Sequence, residues 1–490
     1  MKIAQQDFEQ ENYQRTYFDK NKDSNPSESY FNFPSFLITF KELLIKSIPR
    51  VLCYELNLIT MSLINIYLLG QKGNLHEIAA FGLGDAYGRI FGYSVIKHLN
   101  ITLQNNCNIA YSAKNYELVG IFYQRGLLFT GFLCVILAPL LCFSSHILGY
   151  INIEQQLAYD AGNYVWVCLG SFFASSYYDT TNNYLQSQNV VYPQIGLQLA
   201  QSFIHYFLAD NLINKRDMGV LGAAWAKNMS DFILSMCLYF FITFKSPTPK
   251  TWIEWDKTAF DNVIRNLQRA LKNGATSYLE ETALLILTFI SVYTDQRAIT
   301  VTHISLNNSA LGHISFFLGF QYIIQNYIGN SIRRGHINKA KRRAFHAFIS
   351  IFILIVILLI CLQQNAKSWS AFLNSNTEIQ MNMVRSLFIY QKVLLCDGIQ
   401  ITLCSFIKAL NKATIISYIY LFCYFVGTTI SYSSWENSKE MGIWSGWIIS
   451  NLMASIAFLV VIKTTDWEKQ HKQIKFKMLQ DKIFVEVVKK

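Results

Sequence analysis

Residues 127–149 read LLFTGFLCVILAPLLCFSSHILG, an unbroken apolar run without a formal charge. A bilayer core needs about 20 apolar residues in a helix, so this stretch is long enough to cross one. Phe348 to Leu362 is nearly all Ile, Leu, Phe and Val. With these two included, apolar runs lie near 44–69, 78–104, 122–147, 159–185, 192–211, 219–244, 272–293, 298–330, 345–363, 383–408, 413–433 and 441–463. Only 15% of the chain is charged, against about 25% in soluble domains, and a soluble bundle could not hide so many runs. The sequence therefore predicts an all-α polytopic membrane protein of about twelve transmembrane helices. The runs at 44–69, 78–104 and 298–330 carry polar residues and read as helices facing other helices.

The net charge of +11 is not a nucleic-acid signature, because its distribution follows the membrane. With the N-terminus inside, the cytoplasmic loops hold 16 Lys and Arg, Arg125, Lys250, Arg333, Arg334 and Lys341 among them; the outer loops hold 6, such as Lys72, Lys215 and Arg297. Lys and Arg collect on the cytoplasmic side, so both termini are expected in the cytosol. Residues 1–35 read as a disordered polar tail with no signal peptide. Residues 466–490 read as a basic cytosolic tail, a solvated segment in preference to an amphipathic helix on lipid. The ten cysteines fall mostly inside apolar runs without metal spacing and read as packing thiols.

Similar segments recur at a near-constant offset. Asn108 to Lys114 follows the second helix, and Gly329 to Gly335 follows the eighth. Gly222 opens the sixth helix and Gly442 the twelfth, at almost the same interval. This predicts two six-helix lobes, 36–244 and 258–465, joined by a cytosolic connector at 245–257. Repeated halves are common in secondary transporters, with the substrate site between them near the midplane.

The same segments resemble the multidrug and toxic compound extrusion (MATE) transporters, in particular their eukaryotic branch. Cys107 to Lys114, with Gln124-Arg125 beyond, is similar to the family's Gly-Gln-Ala-Tyr-Gly-Ala-Lys loop and its Gln-Arg. Tyr184-Leu-Gln-Ser-Gln188 with Pro193, Gly219 to Trp225, Trp252 with Ala259-Phe260, Ile328 to Ile332, Asp397-x-x-Gln400, Gly442-x-Trp444-x-Gly446 and Thr465-Asp466-Trp467 follow in the family's order. The likeness runs from about residue 40 to 470. The motifs are degenerate: the loop's Gln is Ile109, its glycines are Asn108 and Ser112, and the second of two helix-seven glutamates is Leu285. The resemblance implies a MATE-type two-lobe fold and secondary active transport, a proton-coupled antiporter working by alternating access and exporting organic cations or other xenobiotics.

Charge at membrane depth is expensive, so each such residue is a functional candidate. With a rise of about 1.5 Å per residue, Glu55, Glu280 and Asp397 fall near the midplane on helices one, seven and ten. A desolvated carboxyl holds either a proton or an organic cation, which is the simplest basis for exchange. By resemblance, Glu280 and Asp397 occupy the coupling positions of eukaryotic relatives; the structural alternative is a buried salt bridge, with Lys392 a partner for Asp397. Glu55, Glu281 and Asp179 are substrate-cavity candidates, Glu55 alternatively pairing with Lys97. Asp85, Arg89, Lys227, Asp231 and Arg385 read as interhelical pairs or as side chains snorkelling to the interface. His98, His205, His303 and His313 read as packing residues before proton relays.

No metalloprotease, nucleophile-elbow, phosphate-loop or dinucleotide motif occurs, so the chain reads as a non-enzyme without cofactor or metal. The expected partners are a small organic cation, a proton (or sodium) as counter-ion and the lipid bilayer, with no nucleic acid; the chain is expected to be a monomer in the plasma membrane or a vacuolar or lysosomal membrane. Two alternatives stay open: a lipid-linked saccharide flippase of the same superfamily, and a transport-inactive receptor or scaffold.

Overall fold

The computed structural model describes residues 33–58, 60–112, 114–188, 190, 192–245, 250–260, 263–294 and 296–474. Among them the chain is helical with no strand. The tail predicted at 1–35 lies outside these residues except for its last three. Six helices are long and apolar enough to span a membrane by length and composition, and a seventh counts with the bent first pair. The other passes carry more polar residues because they are turned toward neighbours; Ile78 to Gly88, for example, is buried along its whole length.

In the first lobe, α1 (Phe33–Leu58) and α2 (Thr60–Lys72) make one pass bent by 51°. The second pass is α3 (Leu75–Gly88), a π-helical turn at Arg89–Tyr93, and α4 (Ser94–Ser112). Then come α5 (Tyr116–Cys142), the short α6 (Ser144–Tyr150), a fourth pass of α7 (Gln155–Val167) and α8 (Leu169–Ser187), α9 (Tyr192–Asp210) and α10 (Gly219–Lys245). The second lobe has α11 (Val263–Val292), α12 (Arg297–Arg333), α13 (Ile337–Leu373), α14 (Thr377–Ala409) and α15 (Ala413–Thr464). α15 doubles back on itself: its limbs Ala413–Trp435 and Met441–Thr464 lie side by side, with Gly427 against Gly446. Any larger residue there would hold the limbs apart.

The two lobes are built alike in detail. After α4, Lys114 has a left-handed backbone (φ 59°), and after α12 so does Gly335 (φ 81°), at the interval seen in the sequence. Asn115 N bonds Ala110 O, and His336 N bonds Ser331 O, both at 3.0 Å and again at that interval. The next helices begin at Tyr116 and Ile337, which keep it too. A left-handed residue closing the last carbonyls of a helix is a common terminator, and here it is duplicated with the fold. Side-chain caps set other starts: Asn74 accepts from His76 N at 3.1 Å and Asn376 from Glu378 N at 2.9 Å.

The core is apolar and continuous through both lobes, while large residues such as Phe132, Val135, Ile136, Phe422 and Phe425 stand exposed on the outside. That inversion suits a lipid surround, where helices gain nothing by hiding leucine from hydrocarbon. Glycines let the lobes touch: a Cβ on Gly319 of α12 would sit 2.8 Å from Val51 Cα on α1, and one on Gly274 of α11 2.6 Å from His98 O on α4. The connector is more than a tether. Gln124 donates to Glu254 O at 2.7 Å and accepts from Asp256 N at 2.9 Å, and Arg125 donates to Thr258 O at 2.7 Å. The described part of the C-terminal tail is ordered at its start, with Glu468, Lys469, Lys472 and Gln473 exposed. Residues 467–474 are helical, with Trp467 buried and His471 Nδ1 2.6 Å from Ile332 O. Burial of the indole and that hydrogen bond dock the segment on the end of α12. Residues 475–490 lie outside the described set.

Candidate functional site: buried charges in and between the lobes

Asp397 lies on α14, about 18 Å along the helix from its end at Ala409 and about 30 Å from its start at Thr377. It is 1% exposed and its carboxylate is fully engaged. Oδ1 accepts from Trp447 Nε1 at 2.9 Å and from Asn451 Nδ2, both on the second limb of α15. Oδ2 faces His313 Nε2 on α12 at 2.7 Å. His313 Nδ1 is 3.0 Å from Tyr390 Oη. Tyr424 stacks on Trp447 at 5.2 Å and donates to Asn451 Oδ1 at 3.2 Å; Trp369 stacks on Tyr390 at 5.7 Å. Trp447 thus meets the buried acid directly, with Tyr424 stacked behind it, and Tyr390 and Trp369 stand behind His313. α15 brings the indole and the amide because residues 447 and 451 are four apart and share a helix face.

Glu280, on α11, is also buried and lies within electrostatic reach of Lys408, Asp397 and Glu281. Lys408 Nζ donates to Gln321 Oε1 at 2.9 Å. The structure thus brings Glu280 and Asp397 together in one lobe. The salt bridge considered between Asp397 and Lys392 does not form: Lys392 Nζ sits over the Phe388 ring at 4.2 Å. Five residues along a helix turn Lys392 away from the acid's face.

Glu281 points the other way, across the lobe boundary. Its Oε2 is 2.9 Å from His98 Nε2 on α4, and its Oε1 is 3.7 Å from Arg89 Nη1. Arg89 Nε in turn holds Asp85 Oδ2 at 3.0 Å, and Lys227 Nζ reaches Asp85 Oδ1 at 3.5 Å. Lys227 also lies over Tyr93 at 4.3 Å. Asp231 accepts from Gln201 at 2.7 Å and from Ser171. Beside Asp85 and Lys227, a cavity lined by Gly84, Gly88, Tyr93, Tyr164 and Cys168 has room for about one water.

Glu55 is half-buried on α1 against the Ser315 hydroxyl of α12. The pairing considered with Lys97 is not made; Lys97 is within reach of Glu281 and Asp179 instead. Asp179 is half-buried on α8. The five sequence candidates therefore split: Glu280 and Asp397 together, Glu281 on the seam, and Glu55 and Asp179 elsewhere. Sequence reasoning read His313 and His98 as packing residues, whereas each meets a buried acid; a lone histidine on an apolar helix carries no mark of its partner. Trp447 and Asn451 were missed too, although their four-residue spacing beside the Gly442-x-Trp444-x-Gly446 segment was a usable signal.

Two repeated helical lobes with acids buried among their helices are an arrangement common in secondary transporters. The profile of the family described as MatE matches residues 54–209. Protein DETOXIFICATION 9 of Arabidopsis thaliana is 24% identical over 411 residues, covering 82% of this chain and 84% of that protein. Multidrug and toxin extrusion protein 2 of Mus musculus is 22% identical, covering 86% of this chain and 73% of its own length. The crystal structure of the eukaryotic MATE transporter AtDTX14 superposes with a TM-score of 0.73 at 18% identity, covering 90% of this chain and 99% of that one. An inward-facing MATE family transporter of the MOP superfamily follows at 0.72 and 14%. The chain is thus similar to the multidrug and toxic compound extrusion family over most of its length.

Proposed function

We propose that the protein is a proton-coupled antiporter that exports organic cations, with Glu280 and Asp397 as its exchange groups. The observation that carries this is their shared burial: two acids within electrostatic reach of each other, on two helices of one lobe. A buried carboxylate without a full counter-charge is costly, and either a proton or an organic cation relieves the cost. The two ligands therefore exclude each other, which is what exchange requires. Trp447, Tyr424, Tyr390 and Trp369 offer ring faces to a flat cation. In this reading Glu281 and Glu55 meet a cation once the lobes part, since Glu281 faces Arg89 and His98 and Glu55 faces Ser315, and Asp179 lines the same cavity. Both termini in the cytosol, and a plasma or vacuolar membrane, belong to the same reading.

The test uses purified protein in liposomes with an imposed pH gradient and a fluorescent cation. Glu280→Gln and Asp397→Asn are each expected to lower pH-driven flux at least tenfold. Flux equal to the unsubstituted protein's in both variants would sink the assignment.

A further inference from the structure

The hydrogen bonds around Asp397 are not equivalent, and their difference has a chemical consequence. Trp447 Nε1 can only donate, and Asn451 Nδ2 can only donate, so Oδ1 is an acceptor in every state. Oδ2 has one partner, His313 Nε2 at 2.7 Å, and an imidazole nitrogen can donate or accept. Behind it, Nδ1 meets the Tyr390 hydroxyl at 3.0 Å, a group that also does either.

We infer that the coupling proton is taken up by the His313–Asp397 pair, with the Tyr390 hydroxyl as its switch, and not by the Asp397 carboxyl alone. This rests on the reading of Asp397 as an exchange group and extends it. In the charged state Nε2–H donates to Oδ2 and Nδ1 accepts from Tyr390 O–H, for a net charge of −1. One proton arriving from the acidic side is accommodated in either of two ways. It protonates Nδ1, giving an imidazolium that donates to Tyr390 and to the carboxylate. Alternatively Nδ1 carries it while the Nε2 proton passes to Oδ2, so that the acid O–H donates to Nε2. In both, the Tyr390 hydroxyl turns to accept from Nδ1–H, the number of hydrogen bonds within the pair and to Tyr390 is unchanged and the net charge becomes 0. The proton returns to bulk water on the other side when the sequence reverses. A carboxyl held by three fixed donors has no such route, because its acid O–H would find no acceptor.

The other titratable or charged groups facing the pair are Glu280 from α11, Tyr390 and Cys396 from α14 and Tyr424 from α15. From α1, Glu55 lies two residues further along α12, at Ser315. From α13 the nearest ring is Trp369, which does not titrate. None of these bonds His313 except Tyr390.

The experiment measures cation flux in liposomes against the pH of the acidic side, and ethidium binding by fluorescence, for four variants. His313→Gln keeps an N–H donor but cannot titrate. It is expected to bind ethidium within about threefold of the unsubstituted protein. Its half-maximal flux should move to lower pH by about one unit or more, since the carboxyl then needs more acid to be neutralised. Tyr390→Phe should move it the same way by less, and His313→Ala, which also removes the donor to Oδ2, should respond at higher pH than His313→Gln, which separates the lost proton site from the lost hydrogen bond. An unshifted profile in His313→Gln with ethidium binding retained overturns the proposal. If His313→Gln does not fold, judged by size-exclusion profile, an unshifted Tyr390→Phe overturns it instead. Asp397→Asn separates the two readings: loss of the pH response there, with no shift in His313→Gln, leaves exchange on Asp397 and removes only the pair. A pH response intact in Asp397→Asn removes both.

Discussion

The lobes are joined at one level by Glu281 of α11 gripping Arg89 and His98, and neutralising Glu281 should let them part. Arg89 Nη1 and Glu281 Oε1 are 3.7 Å apart, with side chains 10% and 11% exposed. At an effective dielectric of ~20, charges at that separation attract by about 4 kcal/mol. Opening hydrates both charges and returns much of that energy. Exposed pairs are worth about 0.2–1 kcal/mol, and breaking a buried pair costs about 3–5 kcal/mol. The seam should therefore favour the closed form by about 1–3 kcal/mol, a factor of about 5 to 150 in the closed-to-open ratio. Glu281→Gln keeps an acceptor for His98 and removes the charge. With spin labels at Tyr150 and Tyr432, exposed residues of the first and second lobe, pulsed dipolar spectroscopy reads the open fraction directly. Glu281→Gln and Arg89→Gln should each raise it, and the double variant should raise it little further. Arg89→Gln also strips Asp85 of a partner, which is why the cycle is needed. If the two single effects add to within about 0.5 kcal/mol, Arg89 and Glu281 do not act as a pair and the closed form does not depend on that ion pair.

Gly446→Ala would place a Cβ 1.9 Å from Gly427 O and 2.8 Å from Ser431 N, so the limbs of α15 must separate. A loss of about 1–3 kcal/mol should appear as a lower melting temperature in detergent, while Gly131→Ala, with nothing within 4 Å of the new carbon, should melt unchanged; equal melting of both would refute the packing account. In the connector, Asp256 Oδ1 accepts from Thr258 N at 2.8 Å, and that bond holds its carboxyl below the usual carboxylate range. A depressed acid contributes above the usual value of about 3.9 and loses its contribution as pH falls through the folded value. Proteolysis of the connector should rise as pH drops below about 4, and Asp256→Asn should remove that rise; an identical profile in the variant would show that another group is responsible.

Run lengths and loop charges in the sequence are enough to define a membrane bundle, because hydrocarbon demands unbroken apolar helices wherever no partner covers them. The constant offset between the lobes is likewise legible, since a left-handed residue and the helix start after it are local features, fixed by Lys114 and Asn115 in one lobe and by Gly335 and His336 in the other. Glu280 and Asp397 could be placed at depth by counting about 1.5 Å of rise for each residue. Their partners could not. Whether Asp397 meets Lys392, five residues away, or His313, 84 residues away, depends on how α12, α14 and α15 pack side by side. Likewise Glu280 and Glu281 are neighbours in sequence, but about 100° of helix rotation sends one toward Asp397 and the other across the seam to Arg89. Periodicity along a single helix fixes angle and depth; only the packing of several helices decides which group waits at that angle, and for a buried charge the partner sets the chemistry.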